Sequence, residues 1–105
     1  MKMTKESIIA IYEQINKYVQ YAQFNKCNAF VGTHAQEIVD TTDGTVHEIQ
    51  PVKSYDTIVG FYDITEDCFC EIGKFSPTTS KQCYRLCHEL FGAADRVNAM
   101  YINWY

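Results

Sequence analysis

The hydrophobic periodicity of this chain changes twice, and this change restricts the possible fold more than any other feature of the sequence. Residues 5–24 place apolar side chains at the three- and four-residue intervals of an amphipathic helix. Residues 28–75 are rich in Val, Ile, Thr, Tyr and Phe and are divided by turn signals, as strands are. Residues 76–92 return to helical spacing. The pattern predicts an α+β fold with an N-terminal helix, an antiparallel sheet of three to five strands, and a C-terminal helix packed on one face.

A hairpin is predicted early in the strand-rich region. Asp43-Gly44 separates residues 37–40 from residues 46–49, and this dipeptide favours a tight turn because glycine tolerates a positive φ. Pro51 follows the second arm and has no backbone N–H to donate. The second arm is therefore expected to be an edge strand or to end near Pro51.

A second hairpin is predicted from residues 54–63 and residues 68–75, with residues 64–67 as the turn. Both arms contain large apolar side chains on both faces, which is typical of strands at the centre of a sheet. Because side chains alternate along a strand, Val59 and Phe61 are expected to share one face.

The second helix has clear start and stop signals. Ser76 can act as N-cap with Pro77 at the first helical position, where a missing N–H costs nothing. Gly92 is a natural C-terminal stop. In the tail, residues 93–97 favour a short helix and residues 100–105 alternate like a strand.

Length and composition exclude several classes of protein. The 105 residues form one domain, residues 1–105, since two domains would each lack a sufficient core. No run of eighteen apolar residues is present, so neither a membrane-spanning helix nor a membrane partner is expected. The N-terminal region lacks the unbroken apolar segment of a signal peptide, which predicts a cytoplasmic protein. The net charge of −4 argues against a generic nucleic-acid coat.

Four of the five cysteines occupy positions that the periodicity predicts to be buried. Cys68 and Cys70 are two apart on a strand, and Cys83 and Cys87 are four apart on a helix. If this helix packs on this strand, four thiolates could converge on a structural zinc. Core packing explains the same pattern without the usual Cys-x2-Cys spacing, so no metal or other cofactor is predicted. Cys87 and His88 point about 100° apart on a helix and form no nucleophile–base pair, so no enzymatic activity is predicted.

The start of the second helix is a candidate anion site. Free backbone N–H groups, hydroxyls and basic side chains there could hold the phosphate of a nucleotide or nucleic acid. A well-capped helix with a solvated basic face explains the same residues, and the Gly-rich loop of a P-loop is absent. The candidate binding residues are Lys74, Ser76, Thr78, Thr79, Ser80, Lys81 and Arg85.

The acidic residues concentrate in the predicted sheet region. A carboxylate-rich surface there could bind the basic nucleic-acid channel of a partner, although an ordinary solubilising surface accounts for the same charges. Aromatic residues make up 14% of the chain, and the surplus of Tyr favours a binding surface for a partner or for a second copy in a homodimer. The candidate acidic surface comprises Glu37, Asp40, Asp43, Glu48, Asp56, Asp63, Glu66, Asp67 and Glu71.

Part of the chain resembles a family of small uncharacterised phage and mobile-element proteins. Residues 54–59 match the pattern Ser-Tyr-x-Thr-x-Val, and residues 75–81 match Tyr/Phe-Ser-x-Thr-Thr-Ser-Lys/Arg at the start of a helix. The resemblance covers residues 54–88, and Gln82 stands where the family often has His. The family has no established activity, so no catalytic residue is implied. The resemblance does imply accessory genes of bacteriophages and plasmids, whose small acidic products often block host defence systems, as anti-CRISPR proteins do.

The sequence thus leads to one preferred function and one alternative. The preferred prediction is a non-enzymatic protein that binds a host protein or ribonucleoprotein complex, most specifically as an anti-CRISPR or related anti-defence inhibitor. The alternative is a module that binds nucleic acid or nucleotide phosphate through the start of the second helix.

Overall fold

The computed structural model describes residues 3–24, 28–73, 77–92 and 95–99. In these ranges the chain forms a mixed α+β fold with two helices and one sheet of seven strands. The elements are α1 (Lys5–Gln14), β1 (Tyr21–Gln23), β2 (Ala29–Gly32), β3 (Gln36–Val39), β4 (Val46–Ser54), β5 (Thr57–Asp63), β6 (Cys68–Glu71), α2 (Pro77–Arg85), which continues as a π-helical segment (Leu86–Phe91), and β7 (Asp95–Asn98).

The nine-residue strand β4 organises the sheet. The strand order is β1-β2-β4-β5-β6-β7, and β3 pairs with the first half of β4 while β2 pairs with its second half. All neighbouring strands are antiparallel except β6 and β7, which are parallel. The predicted number of three to five strands was too low, because β1 and β7 are short strands within segments whose spacing suggested helix.

The two helices pack on opposite faces of the sheet. One core, on what we call the α1 face, joins Ile8 and Ile11 of α1 to Phe61 of β5. The other core, on the α2 face, joins Leu86 after α2 to Phe69 of β6. No helix within the described residues is long and apolar enough to cross a membrane.

Helix α1 ends ten residues before the predicted limit at residue 24, so that prediction is wrong beyond Gln14. The Gln14 side-chain amide donates to the Val39 carbonyl oxygen at 2.7 Å. The Asn16 backbone and the Gln36 side chain then exchange two hydrogen bonds of 2.9 and 2.8 Å. These contacts attach the chain to β3 and favour an early exit from the helix, which helical periodicity alone does not show.

The predicted Asp43-Gly44 hairpin is confirmed, and Gly44 has a φ of 77°. Pro51, however, lies inside β4 and not at an edge or a strand end, so that prediction is wrong. Pro51 falls between the residues of β4 that pair with β3 and those that pair with β2. Neither β2 nor β3 pairs with β4 at Pro51, so no hydrogen bond between these strands requires the N–H that proline lacks. A proline is therefore tolerated at this position.

A β-bulge in β5 overturns the prediction that Val59 and Phe61 share a face. Val59 packs in the core of the α2 face, whereas Phe61 packs in the core of the α1 face. The extra residue in β5 reverses the alternation beyond it. Gly60 is required here, because a Cβ at this position would lie 2.1 Å from the Cys70 carbonyl oxygen. The register of β4 and β5 changes from Val52↔Gly60 to Lys53↔Ile58.

The second helix begins at Pro77, as predicted. Gly92 ends the π-helical segment that continues α2, which is the stop that the sequence predicts. Gly92 adopts a left-handed conformation with a φ of 57° and its N–H donates to the Cys87 carbonyl oxygen. The tail was predicted to start with a helix, but Asp95–Asn98 is a strand that pairs with β6. The strand predicted at residues 100–105 lies outside the described residues.

Candidate functional site

Of the candidate residues at the start of the second helix that the structure describes, Thr79 and Arg85 contact different parts of the fold. Thr79 is buried, and its hydroxyl oxygen lies 3.4 Å from Ser54 Oγ. Arg85 is exposed, but its Nε donates to Glu89 Oε2 at 2.7 Å. Thr79 therefore faces the sheet and Arg85 already has a carboxylate partner. Of the other candidates, Thr78 and Lys81 are exposed, while Lys74, Ser76 and the side chain of Ser80 lie outside the described part of the chain.

Three carboxylates assigned to the acidic surface are buried, and the prediction is corrected at these positions. Asp40, Asp63 and Glu71 each have 2% or less of their surface exposed. Each has a polar partner inside the fold, which offsets the cost of removing a carboxylate from water. The remaining members stay at the surface to different degrees: Glu37, Asp43, Glu48 and Asp56 are exposed, and Glu66 and Asp67 are half-buried.

The four cysteines at predicted core positions are buried, but they do not converge. Cys68 and Cys70 pack in the core of the α1 face, with their Sγ atoms 3.7 Å apart. Cys83 and Cys87 pack in the core of the α2 face. The sheet lies between the two pairs, so the four-thiol zinc arrangement does not form. Burial raises the pKa of the Cys83 thiol to about 12, which keeps it protonated at neutral pH.

The β3–β4 hairpin exposes one face to solvent, and the pairing on this face is unusual. Glu37 lies directly opposite Glu48, and Val39 lies directly opposite Val46. Both glutamates are exposed, and the two valines are 45% and 50% exposed. Ile38, which alternates with these residues, is buried. We call the surface formed by Glu37, Val39, Val46 and Glu48 the acidic hairpin face.

Like charges placed directly opposite each other on neighbouring strands destabilise a sheet, and the two valines leave about half of their surface in water. The acidic hairpin face therefore has a composition that fold stability alone does not favour. Its two carboxylates and two apolar side chains are suited to contact a surface that offers positive charge beside apolar area.

A buried polar network lies under the same hairpin. His47 is 1% exposed and Asp63 is fully buried, and His47 Nδ1 lies 2.7 Å from Asp63 Oδ2. On the other side of the ring, His47 Nε2 lies 2.7 Å from Thr45 Oγ1. The Thr45 hydroxyl also donates to Asp43 Oδ1 at 2.6 Å. This chain of contacts links the exposed turn to the centre of the fold.

The donors and acceptors of this network determine where its protons lie. The Asp43 carboxylate only accepts, so the single hydroxyl proton of Thr45 points to it. Nε2 of His47 must then donate to Thr45, and Nδ1 and Asp63 share one proton. The His47–Asp63 pair is electrically neutral whichever partner holds that proton. Burial raises the pKa of the Asp63 carboxyl, although the hydrogen bonds from Glu66 and His47 oppose this.

Asp40 fixes the other side of the turn. Its Oδ1 accepts from the Thr42 backbone N–H at 2.9 Å and from the Thr42 hydroxyl at 2.6 Å. Burial alone would raise the pKa of Asp40, but hydrogen bonds from Ser7 and Thr42 and the nearby His47 outweigh it and lower the pKa. The hairpin is thus held rigidly, because both of its aspartates bind the backbone of the turn.

This network resembles a metal-binding site and also a catalytic triad. Its hydrogen bonds explain the arrangement of the side chains without a metal and without catalysis. One ligand atom each from Asp40, Asp43 and His47 lie within 4.8 Å of one another, a donor set that suits a divalent cation. However, His47 Nε2 is already hydrogen-bonded to Thr45, and Asp40 Oδ1 is already hydrogen-bonded to Thr42. Thr45, His47 and Asp63 are also arranged like a nucleophile, base and orienting acid. In this structure the Thr45 hydroxyl donates to Asp43, and His47 Nε2 donates to Thr45 instead of accepting its proton.

Sequence reasoning missed this network and one further ion pair. The available signal was Asp-x-Thr repeated at residues 40–42 and 43–45, a pattern in which aspartate accepts from the backbone two residues on. The other pair is Glu71 of β6 and Arg96 of β7, whose guanidinium donates to both carboxylate oxygens. It joins the two parallel strands and was hidden because Arg96 was predicted to be helical.

Comparisons with known proteins give no match to this chain. No family model matches it, no curated protein matches its sequence, and no solved structure matches its fold.

Proposed function

We propose that this protein is a non-enzymatic binding protein that docks its acidic hairpin face on a basic surface of a host protein or ribonucleoprotein complex. The observation that carries the proposal is the direct pairing of Glu37 with Glu48 beside two exposed valines. A lysine or arginine from a partner, inserted between the two carboxylates, would replace repulsion with two charge-assisted contacts. Val39 and Val46 would supply the apolar contact beside it.

The rigidity of the hairpin supports this role. Docking is weakened when loops must be ordered in the complex, and this cost falls when the binding surface is already fixed. Here Asp40 and Asp43 bind the turn, and His47 and Asp63 anchor β4 to β5 beneath it. The acidic hairpin face is therefore presented in one conformation before any partner arrives.

The charge of the acidic hairpin face also indicates which kind of partner it binds. A second copy of the chain would bring two further glutamates against Glu37 and Glu48, so a homodimer through this face is disfavoured. A basic nucleic-acid channel fits better, because a carboxylate pair can take the place of backbone phosphates there. Together with the resemblance over residues 54–88, this gives the specific form of the proposal, an anti-CRISPR or related anti-defence inhibitor that acts by protein–protein interaction.

The alternative function, phosphate binding at the start of the second helix, has less support among the described residues. Thr79 is buried against Ser54, and Arg85 forms an ion pair with Glu89. An anion would have to compete with that carboxylate.

The test begins with affinity capture of tagged protein from a bacterial host lysate, followed by affinity measurement with the purified partner at two salt concentrations. The variant Glu37→Lys/Glu48→Lys reverses the charge of the acidic hairpin face. The control Glu13→Lys/Asp95→Lys makes the same change in net charge at two other exposed positions. We expect the first variant to lose the partner and the control to retain it, with affinity falling as salt rises.

A second readout separates function from stability. Glu37→Gln removes the cross-strand repulsion, so it should raise the free energy of unfolding by about 0.2–1 kcal/mol while weakening partner binding. A partner that binds both charge-reversal variants equally, or recovery of the protein with no partner from plausible hosts, would contradict the proposal.

A further inference from the structure

We propose that a groove on the α1 face binds a nucleotide, with the base stacked on tyrosine and the phosphate held by lysine. The groove has a volume of about 470 Å³, within the usual range for small-molecule sites. It lies between the segment that follows α1 and the end of the β4–β5 hairpin. We call it the lysine–tyrosine groove, and the lining residues used here are Tyr12, Lys17, Tyr18, Tyr21, Lys53 and Asp56.

The position of Lys53 is the first observation. Its Nζ lies 4.3 Å from the centre of the Tyr21 ring and 5.4 Å from that of Phe30. Aromatic faces hold an ammonium in place without neutralising its charge. Within the part of the chain that the structure describes, neither Lys53 nor Lys17 forms an ion pair with a carboxylate. Two positioned ammonium groups thus remain available to an anion.

The tyrosines are the second observation. Tyr18 is 86% exposed, and Lys17 Nζ lies 5.7 Å from the centre of its ring. Tyr21 is held in place, because its hydroxyl donates to the Lys17 carbonyl oxygen at 3.0 Å. The Tyr18 backbone N–H donates to Asn16 Oδ1 at 3.0 Å, which fixes the segment that carries the exposed ring.

Lysine beside exposed aromatic rings matches the chemistry of a nucleotide better than that of a simple anion. Inorganic phosphate would use the lysines and leave the rings in water, whereas an uncharged ring would leave the ammonium groups unpaired. A nucleotide satisfies both, since its base stacks on an aromatic face and its phosphate pairs with ammonium. Asp56, the one carboxylate among the six named residues, could accept a hydrogen bond from a base amine or a sugar hydroxyl.

This site is separate from the acidic hairpin face. Lys53 and Tyr21 lie on the α1 face, whereas Glu37 and Glu48 lie on the other side of the sheet. It also uses none of the residues at the start of the second helix. Either proposal can therefore fail while the other stands.

The experiment is a calorimetric titration of the full chain with adenosine monophosphate, adenosine and inorganic phosphate. We expect the monophosphate to bind, and adenosine and phosphate each to bind at least about tenfold more weakly, because each lacks one of the two contacts. Tyr18→Ala and Lys53→Met should each weaken monophosphate binding by about tenfold, and Tyr18→Phe should preserve it, since the stacking ring remains. A dinucleotide that binds more tightly than the monophosphate would identify the ligand as single-stranded nucleic acid, and equal affinity would identify a free nucleotide.

Matched controls lie on the two helices. Tyr84→Ala and Lys5→Ala remove an exposed tyrosine and an exposed lysine that do not line the groove, and they should leave the affinity unchanged. Tyr18 is so exposed that its removal should not alter the fold, which circular dichroism of the variant can verify. Absence of monophosphate binding at millimolar concentration would overturn the proposal, and so would equal losses in the groove variants and the controls.

Discussion

Replacing Asp63 tests whether the buried network under the hairpin depends on charge or on hydrogen bonding. Asp63 accepts from the Glu66 backbone N–H at 3.1 Å through Oδ1 and contacts His47 Nδ1 at 2.7 Å through Oδ2. In Asp63→Asn, the amide oxygen can still accept from Glu66, and the amide N–H can donate to the Nδ1 lone pair. His47 then carries its one ring proton on Nε2, which is where Thr45 already requires a proton. No bond is lost and no charge is left unpaired.

The expected change in the free energy of unfolding follows from the number of hydrogen bonds that each substitution removes. Asp63→Asn should lower the free energy of unfolding by no more than about 1 kcal/mol, the usual scale of one adjusted hydrogen bond. Asp63→Ala removes both bonds and leaves the buried Nδ1 of His47 without a partner. It should cost about 3–5 kcal/mol, as the loss of one member of a buried pair does. A domain of this kind has about 5–15 kcal/mol in total, so the alanine variant should be close to unfolding.

The assay is equilibrium unfolding in urea at neutral pH, with the slope compared among variants so that a change in midpoint reports stability alone. Asp56→Asn and Asp56→Ala serve as controls, because Asp56 is an exposed aspartate, and both should stay within about 0.5 kcal/mol of the natural protein. If Asp63→Asn costs as much as Asp63→Ala, ionic attraction and not hydrogen bonding holds the pair, and the reasoning is refuted. If both are mild, the network does not anchor the hairpin.

Three further predictions concern the core of the sheet. Gly60→Ala should cost at least about 1–3 kcal/mol in urea unfolding, because its Cβ would meet the Cys70 carbonyl oxygen at 2.1 Å, and a neutral result would show that the bulge can rearrange. Burial, with the hydrogen bond to Asp67 and nearby negative charge, raises the pKa of Tyr62 from 10.0 to about 12. Tyr62 therefore ionises at a lower pH in the unfolded chain than in the folded one, and stability is lost as the pH rises from 10.0 to about 12. Over this range the urea midpoint of the natural protein should fall more than that of Tyr62→Phe. Equal falls in the two proteins would refute this prediction. The Cys83 thiol, buried and protonated, should be alkylated by iodoacetamide only after unfolding, as read by peptide mass spectrometry, and rapid labelling of the native protein would contradict its burial.

Local signals of the sequence predicted the parts of the fold that local chemistry decides. The turn at Asp43-Gly44 and the helix start at Pro77 follow from backbone preferences of single residues, and both are present. The end of α1 is different, because it depends on hydrogen bonds that join Gln14 and Asn16 to strand residues 25 and 20 positions further along the chain. Such contacts leave no trace in helical periodicity.

The composition of the acidic hairpin face depends on register, which the turn dipeptide does not fix. A two-residue turn at Asp43-Gly44 would place Glu37 opposite Gln50. In the structure Asp40 pairs with Thr45, which lengthens the turn and brings Glu37 opposite Glu48. The sequence therefore indicated an acidic sheet region, but not which carboxylates meet and which are buried.

Strand β4 carries both proposed binding surfaces, one on each face of the sheet, because side chains alternate along it. Val46 and Glu48 point to the face that bears the acidic hairpin, whereas Lys53 points to the lysine–tyrosine groove on the other face. The extra residue in β5 pairs Lys53 with Ile58, which also lines the groove, while Val59 turns to the opposite core. The acidic hairpin face carries two glutamates and the groove carries two lysines, so the sign of the charge at each surface, and not the net charge of −4, decides what it can bind.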